Sequence, residues 1–310
     1  MFLALVGATA SGKTALSLEV ARRLDGEIIS MDSRQVYRGM DVGTAKAGAA
    51  ERALVPHHGL DLVDPDQRYS AGRFARDARG WIAEIRARGR VPLLVGGTGF
   101  FLKAVTDPIF AEPILDQERR ESLRRYLKAL PRDRMEAWTR ALDPERATLA
   151  VEGGPQRMSR TLEVALLTGR PLSGWHRTAP PDGEGVTGLV VRLELPREEL
   201  DRRIALRARR MVEGGLVDEV RGLLERGYAL EAPGMTGTGY REVVRFLQGA
   251  STEEEMVEEI AASTRRYARR QLTWLRNQLP PGSVALDATL PLEAQVESVV
   301  SLWMGTEVGR

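Results

Sequence analysis

Five consecutive apolar residues, Phe2 to Val6, open the chain and run into Gly7-Ala-Thr-Ala-Ser-Gly12. An uninterrupted apolar run reads as a strand buried on both faces, and Ala15 to Leu24 after it reads as an amphipathic helix. The alternation continues. Glu27 to Asp32 is a short apolar strand ending in a carboxylate, and Pro56 to Val63 reads as a further strand entry. Ser70 starts a helix through about Arg88, with Phe74, Ala78, Trp81 and Ile85 on one face. Arg90 to Val95 is another buried strand, followed by Gly96-Gly-Thr-Gly99 and a helix through Val105. Strands alternating with helices imply a parallel sheet covered on both faces.

From about Asp107 to Asp182 this rhythm stops, and only helical patterns remain: Gln117 to Leu130, Arg132 to Leu142, and Pro155 to Leu167 closed by Gly169. The sheet resumes at Gly188 to Leu195. Glu198 then opens an arginine-rich helix, and shorter helices are expected at Val217 to Arg226 and Glu242 to Gln248. A long helix starts at Glu253-Glu-Glu255, its acids complementing the helix dipole, and ends at Pro280-Pro281 before a short strand and a last helix. The expected organisation is a sheet core over 1–107 and 183–310 with a helical insertion over 108–182.

Composition narrows the choices. Apolar and charged contents of 43% and 28% fit a globular chain. The absence of cysteine removes disulfides, thiol nucleophiles and Cys-ligated zinc. No run approaches the ~18 apolar residues of a membrane span, and the N-terminus enters a strand directly, so a cytoplasmic chain without membrane contact is expected. A net charge of +2 does not by itself announce a nucleic-acid partner. Of 45 basic residues, only Lys13, Lys46, Lys103 and Lys128 are lysines.

That rarity sharpens Gly7, Gly12, Lys13 and Thr14, which fit G-x-x-x-x-G-K-[ST] at every fixed position. In such a loop the backbone N–H groups point at a phosphate. A compact ammonium fits where a planar guanidinium does not, and a threonine hydroxyl can hold a divalent metal. The fold class is therefore α/β, a P-loop NTPase-like parallel sheet core with an inserted helical domain. Asp32, at a strand end, is placed to ligate a metal or to accept a proton, a turn-forming role being the plainer reading. Ser33 to Tyr37 can hydrogen-bond a planar heterocycle, and Gly43-Thr-Ala-Lys46 forms another polar loop. Thr98 gains interest from its expected proximity to Lys13. Adjacent His57 and His58 point to opposite strand faces and read as packing rather than metal residues, and Pro65 makes Asp61, Asp64 and Asp66 a turn. Gln156, Arg157 and Arg160 form a basic first turn suited either to an RNA backbone or to plain solvation. Arg202, Arg203, Arg207, Arg209 and Arg210 exceed what solvation needs, so some should face an anion. Thr264 to Arg276 interleaves arginines with Tyr267 and Trp274, a composition that can pair with phosphates and stack on bases.

In order along nearly the whole chain, these segments resemble the tRNA dimethylallyltransferases (tRNA isopentenyltransferases). The resemblance is carried by Gly7 to Thr14, Asp32-Ser33 with Tyr37, Gly39 to Lys46, Pro56-His-His58 and Tyr69-Ser-Ala71. Pro92 to Gly99, Gln156-Arg157, Ser159-Arg160, Gly239-Tyr240, Arg269-Arg-Gln271 and Thr273-Trp274 extend it. It implies transfer of a dimethylallyl group from dimethylallyl diphosphate to N6 of the adenosine 3′ of the tRNA anticodon, position 37. Asp32 is then the general base, with Thr98 and Arg207 catalytic on the diphosphate side. Gly7, Ala8, Thr9, Ala10, Ser11, Gly12, Lys13 and Thr14 hold the diphosphate, with Mg²⁺ on Thr14. Asp32, Ser33, Arg34, Gln35, Thr98, Arg120, Gln156, Arg157, Met158, Ser159, Arg160, Thr236, Gly237, Thr238, Gly239, Tyr240 and Arg241 contact tRNA. The implied partners are the anticodon stem-loop and the prenyl diphosphate, with the enzyme a monomer. Ala8 stands where the family usually has Pro and Phe101 where Tyr is common, and Thr236 to Gly239 departs from the usual loop. From the residues alone, an adenylate isopentenyltransferase or a P-loop small-molecule kinase remains open, whereas a GTPase lacks its N-K-x-D.

Overall fold

Every residue of Phe2–Val6, the first strand (β1), is buried, as a run with no polar face requires. The computed structural model describes residues 1–111, 113 and 115–306. Residues 112 and 114 of the expected insertion, and 307–310 of the expected core, lie outside the described residues. The chain divides into two compact units, Met1–Asp107 with Gly185–Arg310, and Pro108–Glu184.

The first unit runs from β1 through α1 (Lys13–Arg23), β2 (Gly26–Ser30), α2 (Ala49–Leu54), β3 (His57–His58), α3 (Ala71–Ala87), β4 (Val91–Gly96) and α4 (Gly99–Thr106). The second unit holds α5 (Gln117–Ala129), α6 (Arg132–Leu142), α7 (Ala147–Glu152), α8 (Pro155–Thr168) and α9 (Leu172–Thr178). The first unit then continues with β5 (Gly188–Glu194), α10 (Arg197–Glu213), α11 (Leu216–Glu225), α12 (Tyr240–Leu247), α13 (Glu253–Gln278), β6 (Val284–Asp287) and α14 (Leu292–Met304).

Six strands form one parallel sheet in the order β3-β2-β4-β1-β5-β6. Ser30 pairs with Val95, and Val6 with Gly96. The loops leaving β1, β2 and β4 therefore emerge side by side at the carboxyl edge, where ligands of such sheets bind. Leu3 and Leu5 pack with Leu16, Val20, Val296, Val299 and Trp303 of α1 and α14. The alternate residues Phe2, Ala4 and Val6 are equally buried, so the opposite face is covered too. Phe74 of α3 stacks on Phe101 of α4 at 4.3 Å between centroids. Helices α10 to α13 build a further core with Val36, Tyr37, Met40 and Val63.

Three local expectations are corrected. Strand β2 stops at Ser30; the Met31 N–H still reaches Val95 O at 2.8 Å, and Asp32 lies beyond the ladder. The strand expected through Val63 is only two residues long, because Gly59 (φ 80°) turns the chain away, and Val63 returns as an isolated bridge to Tyr37. The buried stripe of α3 is Phe74, Ala78, Ile82 and Ile85, leaving Trp81 half-buried at its margin.

In the helical unit, Leu127, Met135, Ala150, Met158 and Leu162 form the core. Pro155 starts α8, and left-handed Gly169 (φ 69°) ends it. Helices α7 and α9, six and seven residues long, are too short to show a period in the sequence.

Candidate active site

The loop between β1 and α1 curls around its own lysine. Lys13 Nζ donates to Gly7 O at 3.0 Å, Ala8 O at 2.6 Å and Ser11 Oγ at 3.3 Å. Burial, reinforced by the nearby Arg207 charge and only partly offset by Asp32, pushes the Lys13 ammonium down to about 7. The N–H groups of the first turn of α1 have no intrahelical acceptor, so this loop presents donors and a cation to one cavity of about 590 Å³. Its walls include Thr9 to Thr14, Val42, Thr44 and Ala47, closed by Arg203, Arg207 and Arg210 of α10.

A second cavity of about 420 Å³ lies next to it, walled by Arg34, Thr236, Gly237, Thr238, Arg241, Tyr267 and Arg270. Thr9, Asp32, Thr44, Arg207 and Met211 line both cavities. Asp32 Oδ1 accepts the Arg34 N–H at 2.8 Å, which fixes the carboxylate on a turn. Thr98 Oγ1 accepts the Ser33 N–H at 3.2 Å and shares a hydrogen bond with the Tyr267 hydroxyl. Burial lowers the Arg207 guanidinium, and the Asp32 charge opposes that shift. Burial and the Asp32 charge raise the Tyr267 phenol to about 12, so it stays protonated.

The wall between the cavities, Asp41 to Lys46, is held from several sides. Glu219 accepts the N–H groups of Asp41 and Val42 at 2.7 Å each and of Gly43 at 3.1 Å, and also the Tyr240 hydroxyl at 2.7 Å. Lys46, buried, donates to Tyr37 O, Asp41 and Asp61. Gln35 Nε2 donates to Thr44 O and Ala45 O, each at 3.2 Å, while its Oε1 accepts from Ser30 Oγ at 2.7 Å.

Several sequence expectations change on this geometry. The Gln35 amide ties the wall to the end of β2, its nitrogen on Thr44 and Ala45 and its oxygen on Ser30, so both ends are engaged in shaping the cavity. Tyr240 is 1% exposed, with its hydroxyl on Glu219, and Met158 is 0% exposed in the helical core, so neither side chain reaches a partner. Arg202 and Arg203 pair with Glu199, Arg203 still bordering the first cavity with Arg210, whereas Arg207 lines both cavities. Trp274 lies flat against the Gly99 backbone, where a Cβ would stand 1.9 Å from the ring, and Tyr267 is engaged with Thr98. Both aromatics are thus backed by the Thr98–Gly99 loop, while Tyr267 still lines the second cavity and Trp274 an open groove beside Arg269 and Arg270. Arg34 reaches Pro233 O at 2.6 Å and ties the Asp32 turn to the loop leading to Thr236. In the helical unit, Gln156 and Arg157 are exposed, and buried Glu163 gathers Arg120, Arg124 and Ser159.

Sequence reading missed Glu219 and Met211, and gave Gln271 no role although it falls in the Arg269-Arg-Gln271 motif. Gln271 carried a usable signal: it is a polar residue on the buried stripe of α13 that also holds Met256, Ile260, Ala268 and Leu275. Glu219 looks in sequence like one more acid in the first turn of α11.

No group of three or more His, Cys, Asp or Glu able to hold a metal stands together among the described residues. His57 Nδ1 is spent on Val55 O, and His58 on Glu27. Several hydroxyls line the first cavity, Thr14 among them, but Asp32 is the one carboxylate on its walls among the described residues. So sparse a set suits Mg²⁺, which keeps its waters and takes oxygens from substrate phosphates.

Comparison with known proteins agrees with this geometry. The IPP transferase family model matches residues 35–278, and the isopentenyl transferase model matches residues 1–55. The chain is 44% identical to the tRNA dimethylallyltransferase of Halorhodospira halophila over 305 residues, 98% of each chain. It is 44% identical to that of Roseiflexus castenholzii over 300 residues, 96% of each chain. The crystal structure of the full-length tRNA isopentenylpyrophosphate transferase from Bacillus halodurans superimposes with a TM-score of 0.70 at 35% identity, covering 98% of this chain and 95% of that one. A eukaryotic dimethylallyltransferase captured acting on tRNA gives a TM-score of 0.78 at 27% identity, covering 100% of this chain and 77% of that one. The chain belongs to the tRNA dimethylallyltransferase family, and is a prenyltransferase.

Proposed function

We propose that this enzyme transfers the dimethylallyl group of dimethylallyl diphosphate to N6 of the adenosine next to the anticodon, position 37 of tRNA. The observation that carries this reading is the pair of cavities meeting at Asp32 and Arg207. One is lined by anion donors and the other by polar loops, and a carboxylate stands where they join.

The diphosphate sits on Gly7 to Thr14, held by backbone N–H groups, Lys13 and Arg207. Thr14 would hold Mg²⁺, which would further neutralise the charge that grows on the leaving group. The adenine leaves the anticodon-loop stack and enters the second cavity beside Asp32, Thr98 and Ser33. As the C1–O bond of the donor breaks, its electron pair leaves with the diphosphate. The N6 lone pair forms the new C–N bond, and Asp32 takes the N6 proton. An exocyclic adenine amine is a poor nucleophile, so a base at this point is what the reaction needs. Arg34, Thr236 to Gly239 with Arg241, and Gln156, Arg157, Ser159 and Arg160 of the helical unit contact the RNA. Arg120 acts through Glu163, which it shares with Ser159. The exposed Arg266, Arg269 and Arg270 of α13 line an open groove suited to the phosphate backbone.

Labelled dimethylallyl diphosphate with Mg²⁺ and either unmodified tRNA or AMP tests the reading. Label is expected in tRNA alone. Label in AMP would make the enzyme an adenylate isopentenyltransferase, and ATP turnover with label in neither acceptor would make it a kinase.

A further inference from the structure

The phosphate loop and the Gly96–Gly99 loop hang from separate strands, β1 and β4, and both are rich in glycine. The reaction nevertheless needs the donor carbon, fixed by the first loop, at a constant distance from Thr98 on the second and from Asp32 beside it. One buried side chain joins the two loops. Gln271, 6% exposed, accepts the Thr9 N–H on Oε1 at 2.9 Å and donates from Nε2 to Gly97 O at 3.0 Å. The approach is close enough that a Cβ on Gly97 would stand 2.1 Å from Nε2 and 3.0 Å from Gly7 O.

Only a neutral amide of this length serves both ends. Leucine serves neither, glutamate cannot donate to Gly97 O, and asparagine is one methylene short. Residues flanking Gln271 at helical spacing press on the same loop, Tyr267 through the Thr98 hydroxyl and Trp274 against Gly99. The exposed Arg266, Arg269 and Arg270 belong to the same stretch of helix. We infer that Gln271 is a positioning residue: it locks the diphosphate grip to the Thr98 loop, so that donor carbon and acceptor nitrogen meet at a fixed separation. This rests on the reading of Gly7 to Thr14 as the diphosphate grip.

The test compares wild-type enzyme with Q271L, G97A and the double variant, in steady-state transfer to tRNA, inorganic diphosphate binding and thermal unfolding. Q271L is expected to lose about 100-fold in kcat per folded molecule, with the KM for tRNA unchanged. G97A, whose methyl displaces the same amide, is expected to reproduce that split. The double variant is expected to lose no more than the worse single one, because both changes break one link. Transfer by Q271L within about threefold of wild type, or a loss that disappears once activity is scaled to the folded fraction, would overturn the inference. So would single-variant losses that multiply in the double variant. Wild-type enzyme that binds inorganic diphosphate but transfers no prenyl group would overturn the proposed function instead. Diphosphate binding weakened in both single variants would then still support the link.

Discussion

Strand β2 carries a carboxylate near each end, and the two are treated in opposite ways. Glu27, near its start, is 2% exposed and saturated. Arg88 grips both oxygens, at 3.0 and 2.8 Å, Arg90 reaches one at 3.4 Å, and His58 Nε2 lies 2.7 Å from the other. Burial pushes its carboxyl upward, but Arg88 and His58 outweigh that and hold it at about 2. Asp32, just past the other end, has among the described residues one hydrogen bond, from the Arg34 N–H, and faces two cavities. Its cationic neighbours Arg207 and Lys13 line the first cavity with it. At one edge of the sheet charge is consumed to build structure; at the other a carboxylate is anchored but left with acceptor capacity. That spare capacity is what a general base requires.

Breaking the Asp32 end should give the larger effect. Asp32→Ala is expected to reduce transfer about 1000-fold while leaving donor binding within about twofold. Rapid-quench transfer assays with a parallel binding titration check this. Loss of donor binding in step with rate would instead make Asp32 a metal ligand.

At the Glu27 end the expected damage is to stability alone. Glu27→Gln leaves Arg88, Arg90 and His58 without their anion and should cost about 3 kcal/mol, with kcat per folded molecule unchanged. Because the Glu27 carboxyl lies lower in the folded protein than in the unfolded chain, its contribution is full above about pH 4.5 and is lost as pH falls toward 2. Urea melts of wild type and variant should therefore converge at acid pH. A variant that loses rate but not stability would contradict the division of labour between the two ends.

The same contrast explains what could be read from sequence. Strands β1 and β4 were legible because each is an unbroken apolar run between turn signals, β5 because Leu189, Val190, Val191 and Leu193 dominate it despite Arg192, and Lys13 because the chain is nearly free of lysine. Asp32 was visible from its place after a strand. The wall from Asp41 to Lys46 was not, because its strength comes from Glu219, about 180 residues downstream, and from Tyr240 beyond that. Nothing local distinguishes Glu219 from a dipole-complementing acid. Arginines interleaved with Tyr267 and Trp274 suggest a surface for phosphates and bases; periodicity places Tyr267, Gln271 and Trp274 together on α13 but does not say that they meet the Gly96–Gly99 loop.

A milder break falls on that wall. A Cβ at Gly43 would stand 2.6 Å from the Tyr240 ring, so Gly43→Ala must push apart the wall and the start of α12. The expected cost is about 1–2 kcal/mol of stability, with kcat/KM reduced about tenfold for donor and tRNA alike, because Gly43 and Thr44 border the acceptor cavity and Thr44 also the donor cavity. A loss confined to one substrate would mean that the cavities are shaped independently.

The smallest effect concerns the proton on Lys13. Its pKa is lowered to about 7, so it is charged below that pH and increasingly neutral above it. A diphosphate in the loop favours the charged form and must raise the pKa again. Binding at pH 8 should therefore take up about one proton, and at pH 6, where Lys13 is already charged, almost none. Donor affinity should correspondingly fall about fivefold from pH 7 to pH 8 as the charged fraction of Lys13 shrinks. Calorimetric titrations in buffers of different ionisation enthalpy measure the uptake directly, and Lys13→Met should abolish it. Uptake that persists in Lys13→Met would move the proton to another group. Uptake absent from wild type would mean that the empty loop keeps Lys13 charged on the carbonyls of Gly7 and Ala8. The donor edge of the sheet would then be as fully satisfied before substrate arrives as the Glu27 edge is, and the contrast would rest on Asp32 alone.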